Sequence, residues 1–167
     1  MIFKYLSRQF YINLSIIISI LIFDRLTKFY VQILDRKTLE PEIFNSSLLN
    51  ITLVWNDGIA FGLLSFEEEY FYNIITILII VIILILLILV SKSKSIQKYS
   101  YLIIIGGALG NLFDRIVYKS VPDFIDIHYN GFHWFIFNIA DIFITIGVIC
   151  LIYDEVFLES NKNEKKN

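Results

Sequence analysis

The sequence has few charged residues and only one cysteine. Charged side chains make up 18% of its 167 residues, against about a quarter in a typical soluble domain. Hydrophobic residues make up 57% and are gathered in long runs, which indicates one integral membrane bundle rather than a soluble fold. A single cysteine excludes an internal disulfide. Because Cys150 lies within an apolar run, we interpret it as a packed apolar residue and not as a thiol nucleophile.

Two further absences narrow the class of protein. The net charge is −2 and no large basic block is present, so nucleic acid is not expected as a partner. The first apolar run follows Lys4 and Arg8, as in a signal peptide, but no small-x-small cleavage site comes after it. We therefore predict that this run is a first transmembrane helix.

Four apolar segments predict four transmembrane helices in a single membrane domain, residues 1–167. The segments cover about residues 10–30, 70–90, 99–116 and 135–153. The predicted fold class is thus an all-α membrane protein. Polar segments at 31–69 and 117–134 lie outside the bilayer in this scheme, and the polar tail from about residue 159 is expected to be disordered.

The distribution of basic residues predicts the orientation. Eight lysines and arginines fall on one side of the membrane and three on the other: Lys4, Arg8, Lys92, Lys94, Lys98, Lys162, Lys165 and Lys166 against Arg36, Lys37 and Lys119. Positive charge favours the cytoplasmic side, so both termini should be cytoplasmic and the two polar segments extracytoplasmic.

The first polar segment carries a strand signal. Residues 49–55, LNITLVW, alternate and are rich in β-branched and aromatic side chains. Asn56-Asp57-Gly58 is a strong turn signal, and apolar residues return up to 64, which predicts a small β-sheet cradle lying against the membrane. Ser65 and Glu68 then have the spacing of a capping box, which predicts the start of the second helix.

Four aspartates occur within a short, otherwise apolar stretch: Asp114, Asp123, Asp126 and Asp141. Acids are costly near hydrocarbon, so they indicate function. Asp141 is predicted to lie about six residues, or roughly 9 Å, into the fourth helix, and Asp123 to lie at the same outer level. Two close carboxylates share one proton and can perform general acid–base hydrolysis. The spacing alone also permits another arrangement, in which Asp123 caps a helix and Asp141 pairs with a buried cation.

Polar residues accompany these acids at helical spacings. Asn138 precedes Asp141 by three residues, and Asn111 shares a helix face with Asp114 and Arg115. These side chains could bind a peptide backbone in a low-dielectric cleft, or Asn111 and Asp114 could satisfy helix ends, with Asp114 paired to Arg115.

Two other patterns are structural in our interpretation. Gly106 and Gly110 form a GxxxG pattern that allows helices to approach closely. Asp24 and Lys28 are four residues apart, which predicts an ion pair on one helix face.

Two other classes of function remain open at this point. Asp24, Asp114 and Asp141 could form a proton relay in a transporter, although such acids should lie near the bilayer midplane, whereas these cluster toward one face. A metallohydrolase could use Asp123 and Asp126 with the two histidines, His128 and His133. Their spacing fits no standard zinc motif, so we predict neither a metal nor another cofactor.

Five segments together resemble one family. They are DRLTK (24–28), NDGIAF (56–61), GGALGNLFDR (106–115), VPDF (121–124) and FNIAD (137–141). In this order, with hydrophobic spans between them, they resemble lipoprotein signal peptidase, the type II signal peptidase of bacteria.

The resemblance implies an aspartic peptidase of the bacterial cytoplasmic (inner) membrane, with its active site on the extracytoplasmic face. Its substrate would be a prolipoprotein already carrying diacylglycerol on a cysteine, and the cut before that cysteine would release the signal peptide. It further implies contact with membrane lipid and inhibition by the cyclic peptide globomycin. It does not imply an obligate protein partner.

The resemblance also assigns roles to residues. Asp123 and Asp141 match the catalytic aspartates. The substrate- or inhibitor-binding positions are Asn56, Gly58, Asn111, Arg115 and Asn138. The supporting positions are Asp24, Lys28 and Asp114. The chain departs from the family after FNIAD, where Ile142 and Phe143 stand in place of the usual small residue.

Overall fold

The computed structural model describes residues 7–57 and 69–159. Within those ranges the chain forms four α-helices and three β-strands. In chain order they are α1 (Arg8–Asp35), β1 (Leu49–Asn56), α2 (Glu69–Lys92), α3 (Ser95–Tyr118), β2 (Val121–Tyr129), β3 (Phe132–Phe137) and α4 (Ile139–Tyr153), and a π-helical segment, Asp154–Glu159, continues α4. The predicted capping box at 65–68, the turn residue Gly58 and the tail beyond residue 159 lie outside the described residues.

Each predicted apolar segment contains a helix. Among the described residues, three helices are long and apolar enough to cross a membrane, namely Arg8–Asp35, Tyr72–Lys92 and Ser95–Tyr118. Most apolar side chains on α2 are exposed, for example Ile77 at 60%, as expected of a surface that faces lipid. The chain therefore has the hallmarks of a membrane protein.

The prediction that the fourth helix begins at residue 135 is wrong. Residues Phe132–Phe137 form β3, and α4 begins at Ile139. The reason is strand pairing: the backbone of β3 hydrogen-bonds to β2 in antiparallel register, for example Ile125 opposite Phe137. The second polar segment, predicted as a connection, is thus mostly sheet.

The three strands form one antiparallel sheet in the order β1-β2-β3. The strand predicted at 49–55 is confirmed as β1, and it pairs with β2, with Asn56 opposite Val121. Between β2 and β3 the chain turns at Asn130 and Gly131, whose φ angles are both positive, 48° and 79°. Two positive φ angles are the requirement of a type I′ hairpin turn, which Asn-Gly satisfies well.

Helix α3 is the centre of the bundle, since it packs against α1, α2 and α4. Its glycines make the close approaches that GxxxG predicts. A Cβ atom on Gly106 would lie 2.9 Å from Cβ of Ile20 on α1, and one on Gly107 would lie 2.5 Å from the carbonyl oxygen of Ala140 on α4. The structural interpretation of the GxxxG pattern is thereby confirmed. Because α3 contacts α1 and α4 so closely, polar side chains from all three helices can meet near its C-terminal half.

Candidate active site

Asp123 is a buried carboxylate on β2, only 4% exposed. Its Oδ2 accepts a hydrogen bond from the side-chain amide of Asn56 at 2.8 Å, and its Oδ1 accepts one from the amide of Asn138 at 2.6 Å. Burial raises the pKa of Asp123 to about 6, against the opposing effect of these two donors, and the negative charge of Asp141 adds to the rise. Asp123 therefore changes its protonation state close to neutral pH.

Asp141 lies in the first turn of α4 and not six residues into the helix, which corrects the predicted depth. The helix cannot begin earlier because Asn138 is its N-cap. The two residues form a reciprocal capping box: Asn138 Oδ1 accepts from the Asp141 backbone N–H at 3.2 Å, and Asp141 Oδ2 accepts from the Asn138 backbone N–H at 3.1 Å. The other oxygen of Asp141, Oδ1, accepts from the side-chain amide of Asn111 at 2.8 Å.

Asn138 is thus a common partner of both acids. Its side-chain amide donates to Asp123, while its side-chain oxygen and backbone N–H engage Asp141. It is fully buried, so water does not compete for these bonds. Asn138 fixes the two carboxyl groups relative to each other across the junction of sheet and helix.

Both acids line one open cavity of about 250 Å³. The polar part of its lining contains the described residues that the family resemblance assigns to substrate binding: Asn56, Asn111, Arg115 and Asn138. Its apolar part includes Val121, Phe135 and Phe137. Residues from four separate sequence segments therefore meet at one site. Gly58, also assigned to substrate binding, lies outside the described residues.

A buried charge cluster supports this site from α1 and α3. The side chain of Lys28 is 1% exposed. Its Nζ lies 3.0 Å from Oδ1 of Asp24 and 2.7 Å from Oδ2 of Asp114. The predicted pair of Asp24 and Lys28 is confirmed. Lys28 also donates to Oδ1 of Asn111 at 2.9 Å, which orients the amide that donates to Asp141.

Arg25 completes the cluster, and the sequence interpretation missed it. Its guanidinium donates to Oδ2 of Asp24 and to Oδ2 of Asp114, both at 2.6 Å. The partners Arg25 and Asp114 are 89 residues apart, so the only local signal was the acid directly before Arg25. Asp114 binds Arg25 and Lys28, two cations that the sequence interpretation did not pair with it.

Arg115 lines the cavity and also contacts Tyr72 on α2. Its guanidinium carbon lies 5.4 Å from the centre of the Tyr72 ring, and the Tyr72 hydroxyl donates to the Arg115 carbonyl at 3.0 Å.

The residues that replace the usual small side chain after FNIAD also find partners. Phe143 contacts Phe23 edge to face at 6.2 Å, and Ile142 lines a second, apolar cavity of about 230 Å³ beside Asp141.

Comparison with known proteins identifies the family. Residues 16–157 match the model of the family described as Signal peptidase (SPase) II. The chain belongs to the signal peptidase II family. This confirms the resemblance that the five sequence segments predicted.

Individual relatives cover nearly the whole chain. The chain is 51% identical over 160 residues to the lipoprotein signal peptidase of Pelagibacter ubique (strain HTCC1062), with 96% of each protein covered. It is 39% identical over 154 residues to the lipoprotein signal peptidase of Rickettsia akari (strain Hartford), covering 90% of this chain and 78% of that protein.

A solved structure shares the fold. It is described as a bacterial membrane enzyme, determined by the in meso method at 2.3 Å resolution. The TM-score is 0.70 at 32% identity, with 93% of this chain and 92% of that chain covered. Members of the signal peptidase II family are peptidases, so the cavity that holds Asp123 and Asp141 is the natural place to look for hydrolytic chemistry.

Proposed function

We propose that this chain is an aspartic endopeptidase that removes the signal peptide from diacylglyceryl-modified prolipoproteins, cleaving before the lipidated cysteine. Membership in the signal peptidase II family supports the peptidase activity and the class of substrate. One observation above all supports the aspartic mechanism: two acids, the buried Asp123 and the partly buried Asp141, bind the same asparagine and line the same cavity.

The mechanism requires one proton shared between the two carboxyl groups. The ionised group removes a proton from a water molecule as that water attacks the scissile carbonyl carbon, while the protonated group donates a hydrogen bond to the carbonyl oxygen. The tetrahedral intermediate then collapses, the peptide C–N bond breaks, and the leaving amine takes up a proton from the pair. No covalent enzyme intermediate forms. The raised pKa of Asp123, about 6, supports this because both protonation states are then accessible near neutral pH.

Neighbouring side chains supply hydrogen bonds for the substrate and for the acids. Asn56 donates its side-chain amide to Asp123 and lines the cavity, so it lies where a peptide backbone would bind. Arg115 lines the cavity beside it. Asn111 is held between Lys28 and Asp141, so its role is to orient Asp141. Asp24, Lys28 and Asp114 support that arrangement through the buried ion pairs.

The lipid-modified character of the substrate has a structural counterpart. The apolar cavity of about 230 Å³ adjoins Asp141 and is lined by Phe135, Phe137, Ile142, Thr145 and Ile146 in addition to that acid. An acyl chain entering from the bilayer could occupy it, because four of its six lining residues are apolar. Globomycin, in this proposal, competes for the same combined peptide and lipid site.

The membrane arrangement that we propose has four spans, cytoplasmic termini and an extracytoplasmic active site in the bacterial inner membrane. The 15 residues of α4 and the six-residue π-helical segment together reach the length of about 20 residues that a span needs. Lys92 at the end of α2 and Lys94 in the loop that follows lie at the opposite end of α3 from the sheet that carries Asp123. The positive-inside rule then assigns the sheet to the outer side.

The test is cleavage of a purified diacylglyceryl-modified precursor by the wild-type chain and by Asp123→Asn and Asp141→Asn. General acid–base groups typically contribute 10²- to 10⁴-fold, and we expect a loss of at least about that size from each variant. Asp35→Asn, at the end of α1 and outside the cavity, is the matched control and should retain wild-type turnover. Thermal unfolding in detergent checks that each variant is folded. Substantial turnover by a variant lacking either acid would overturn the mechanism.

A further inference from the structure

A second group of titratable side chains lies on the outer sheet, away from the proposed catalytic cavity. Asp126 and His128 are two residues apart on β2, so they project from the same face, and Asp123 projects from the opposite face. His133 on β3 is the direct cross-strand partner of His128, and the two rings stack with centroids 4.9 Å apart at 23°. One potential ligand atom from each of the three residues lies within 4.8 Å of the other two.

The ring of His128 is held in one tautomer. Its Nε2 lies 3.0 Å from the carbonyl oxygen of Ser46, and a carbonyl can only accept, so Nε2 carries the hydrogen. In the neutral ring, Nδ1 then has the free lone pair. This Nδ1 atom is buried and has no hydrogen-bond partner among the described residues. A histidine that donates one ring N–H to a backbone carbonyl and presents its other nitrogen inward has the usual arrangement of a metal ligand.

Asp126 presents a second unpartnered atom to the same cluster. Its side chain is 9% exposed, and its Oδ2 lies 2.8 Å from Nδ1 of His133. Its Oδ1 is buried without a hydrogen-bond partner among the described residues. A buried acceptor without a partner destabilises the folded chain, and here two such acceptors, from Asp126 and His128, belong to one cluster. A cation bound by this cluster through Nδ1 of His128 would give that buried acceptor a partner.

We propose that Asp126, His128 and His133 form a binding site for one divalent transition-metal ion of the zinc class. Two imidazoles and a carboxylate are ligands that Zn²⁺ accepts in tetrahedral geometry, and a fourth position is left for water. Neighbouring ligand atoms in such a site are about 3.3 Å apart for metal–ligand bonds of about 2.0 Å. The Asp126–His133 separation of 2.8 Å therefore needs only a small opening as the metal replaces the proton between them.

The metal would act on the sheet and not on the peptide bond. It would join β2 to β3 next to the Asn130–Gly131 turn, and so would hold the strand that carries Asp123 three residues earlier. The site does not depend on the proposed peptidase mechanism, because Asp123 faces away from it. Failure of one proposal therefore leaves the other standing.

The test is a titration of the purified full chain in detergent, produced with a removable tag that contains no histidine and freed of metal by a chelator. Co²⁺ is the spectroscopic probe, and we expect the visible absorption bands of a tetrahedral complex, saturating at one ion per chain and abolished by excess Zn²⁺. Zn²⁺ alone should raise the midpoint of thermal unfolding, because it binds the folded chain preferentially.

Variants at the ligands and beside them decide the assignment. His133→Ala removes the most exposed ligand, 56% exposed, and should weaken Co²⁺ binding by more than about tenfold while the chain stays folded. Asp126→Asn should do the same. Tyr129→Ala changes the same hairpin at the adjacent cross-strand pair with Phe132 and supplies no ligand, so its affinity should equal that of the wild type. Absence of the Co²⁺ bands in the wild type, or equal affinity in His133→Ala and wild type, overturns the proposal.

Discussion

Asp24 on α1 accepts a hydrogen bond from the backbone N–H of Ala140, in the first turn of α4, at 3.1 Å. The first N–H groups of a helix have no partner within that helix, and a negative charge near them is favourable. Asp24 therefore acts as a second cap for α4, supplied by another helix. Since Asp141 follows Ala140 directly, α1 determines where the first turn of α4, and with it Asp141, is held.

Gly110→Ala should destabilise the chain, although alanine normally favours a helix interior over glycine by about 1 kcal/mol. The added Cβ would lie 2.5 Å from Oδ2 of Asp24, so the carboxylate that caps α4 must move. We expect a net loss of about 1–3 kcal/mol, measured by thermal or denaturant unfolding in detergent. Ile116→Ala, at a 58% exposed position of the same helix, is the control and should have a small effect. A rise in stability for Gly110→Ala would contradict the close approach.

Lys28→Met should be far more harmful than loss of a surface lysine. It removes the ammonium group between two fully buried carboxylates, Asp24 and Asp114, and leaves Arg25 as their only cation in the cluster. Removing one partner of a buried ion pair typically costs about 3–5 kcal/mol. Lys37→Met, at an exposed position just after α1, provides the control for unfolding measurements.

The same lysine permits a double-variant test. Because the cost arises from an unbalanced buried charge, adding Asp114→Asn to Lys28→Met should recover part of the lost stability. Strictly additive losses from the two changes would show that the charges do not interact in the way the geometry indicates.

Substitutions at Asn138 should separate the effect of capping α4 from the effect of the hydrogen bond to Asp123. Asn138→Ser keeps a side-chain oxygen that can cap α4 but removes the amide that donates to Asp123. Asn138→Ala removes both. We expect the alanine variant to be less stable than the serine variant by about 1 kcal/mol, with cleavage of the lipid-modified precursor reduced in both. Full activity in the serine variant would show that the donor to Asp123 is dispensable.

The pH dependence of stability should report on Asp123. Its pKa is higher in the folded chain, about 6, than the usual value of 3.8, so the folded state holds this proton more tightly than the unfolded state. The contribution of protonated Asp123 to the free energy of unfolding is present below about pH 4 and is lost as the pH rises through about 6. The rise in pKa corresponds to about 3 kcal/mol at about 1.4 kcal/mol per pH unit.

The variant Asp123→Asn removes this pH-dependent loss of stability, because asparagine does not ionise. Asparagine also gives up one accepted hydrogen bond, worth about 1 kcal/mol, so the variant should be more stable than the wild type by about 2 kcal/mol above pH 6. The difference should shrink toward pH 4. Unfolding of both proteins between pH 4 and pH 8 provides the measurement, and a difference that does not vary with pH would contradict the raised pKa.

Sequence patterns predicted the apolar helices, the GxxxG contacts and the strand at 49–55, because each depends on residues close together in the chain. The start of α4 was misjudged because Phe132–Phe137 is an apolar run continuous with the helix, and short apolar runs do not distinguish strand from helix. The Asn130–Gly131 dipeptide was the available signal for a hairpin there.

The residues of the candidate site also fall into those that the sequence predicted and those that only the structure brought together. The sequence predicted Asp123, Asp141, Asn111 and Asn138 as site residues from acids in an otherwise apolar stretch and from the family segments. The pairing of Arg25 with Asp114 connects helices that are distant in sequence, so no local spacing could reveal it. The grouping of Asp126, His128 and His133 depends on the cross-strand register of β2 and β3, which became visible only with the sheet.

The buried ion cluster also bears on how the bundle assembles. Asp24, Arg25 and Lys28 give α1 one excess positive charge, and Asp114 on α3 supplies the negative charge that balances it. Neither helix alone can place its share of the cluster in hydrocarbon without a penalty, whereas the two together are neutral. Docking of α1 onto α3 and full entry of their charged ends into the bilayer are therefore coupled events, and a chain in which that docking fails should be left with α1 partly outside the lipid.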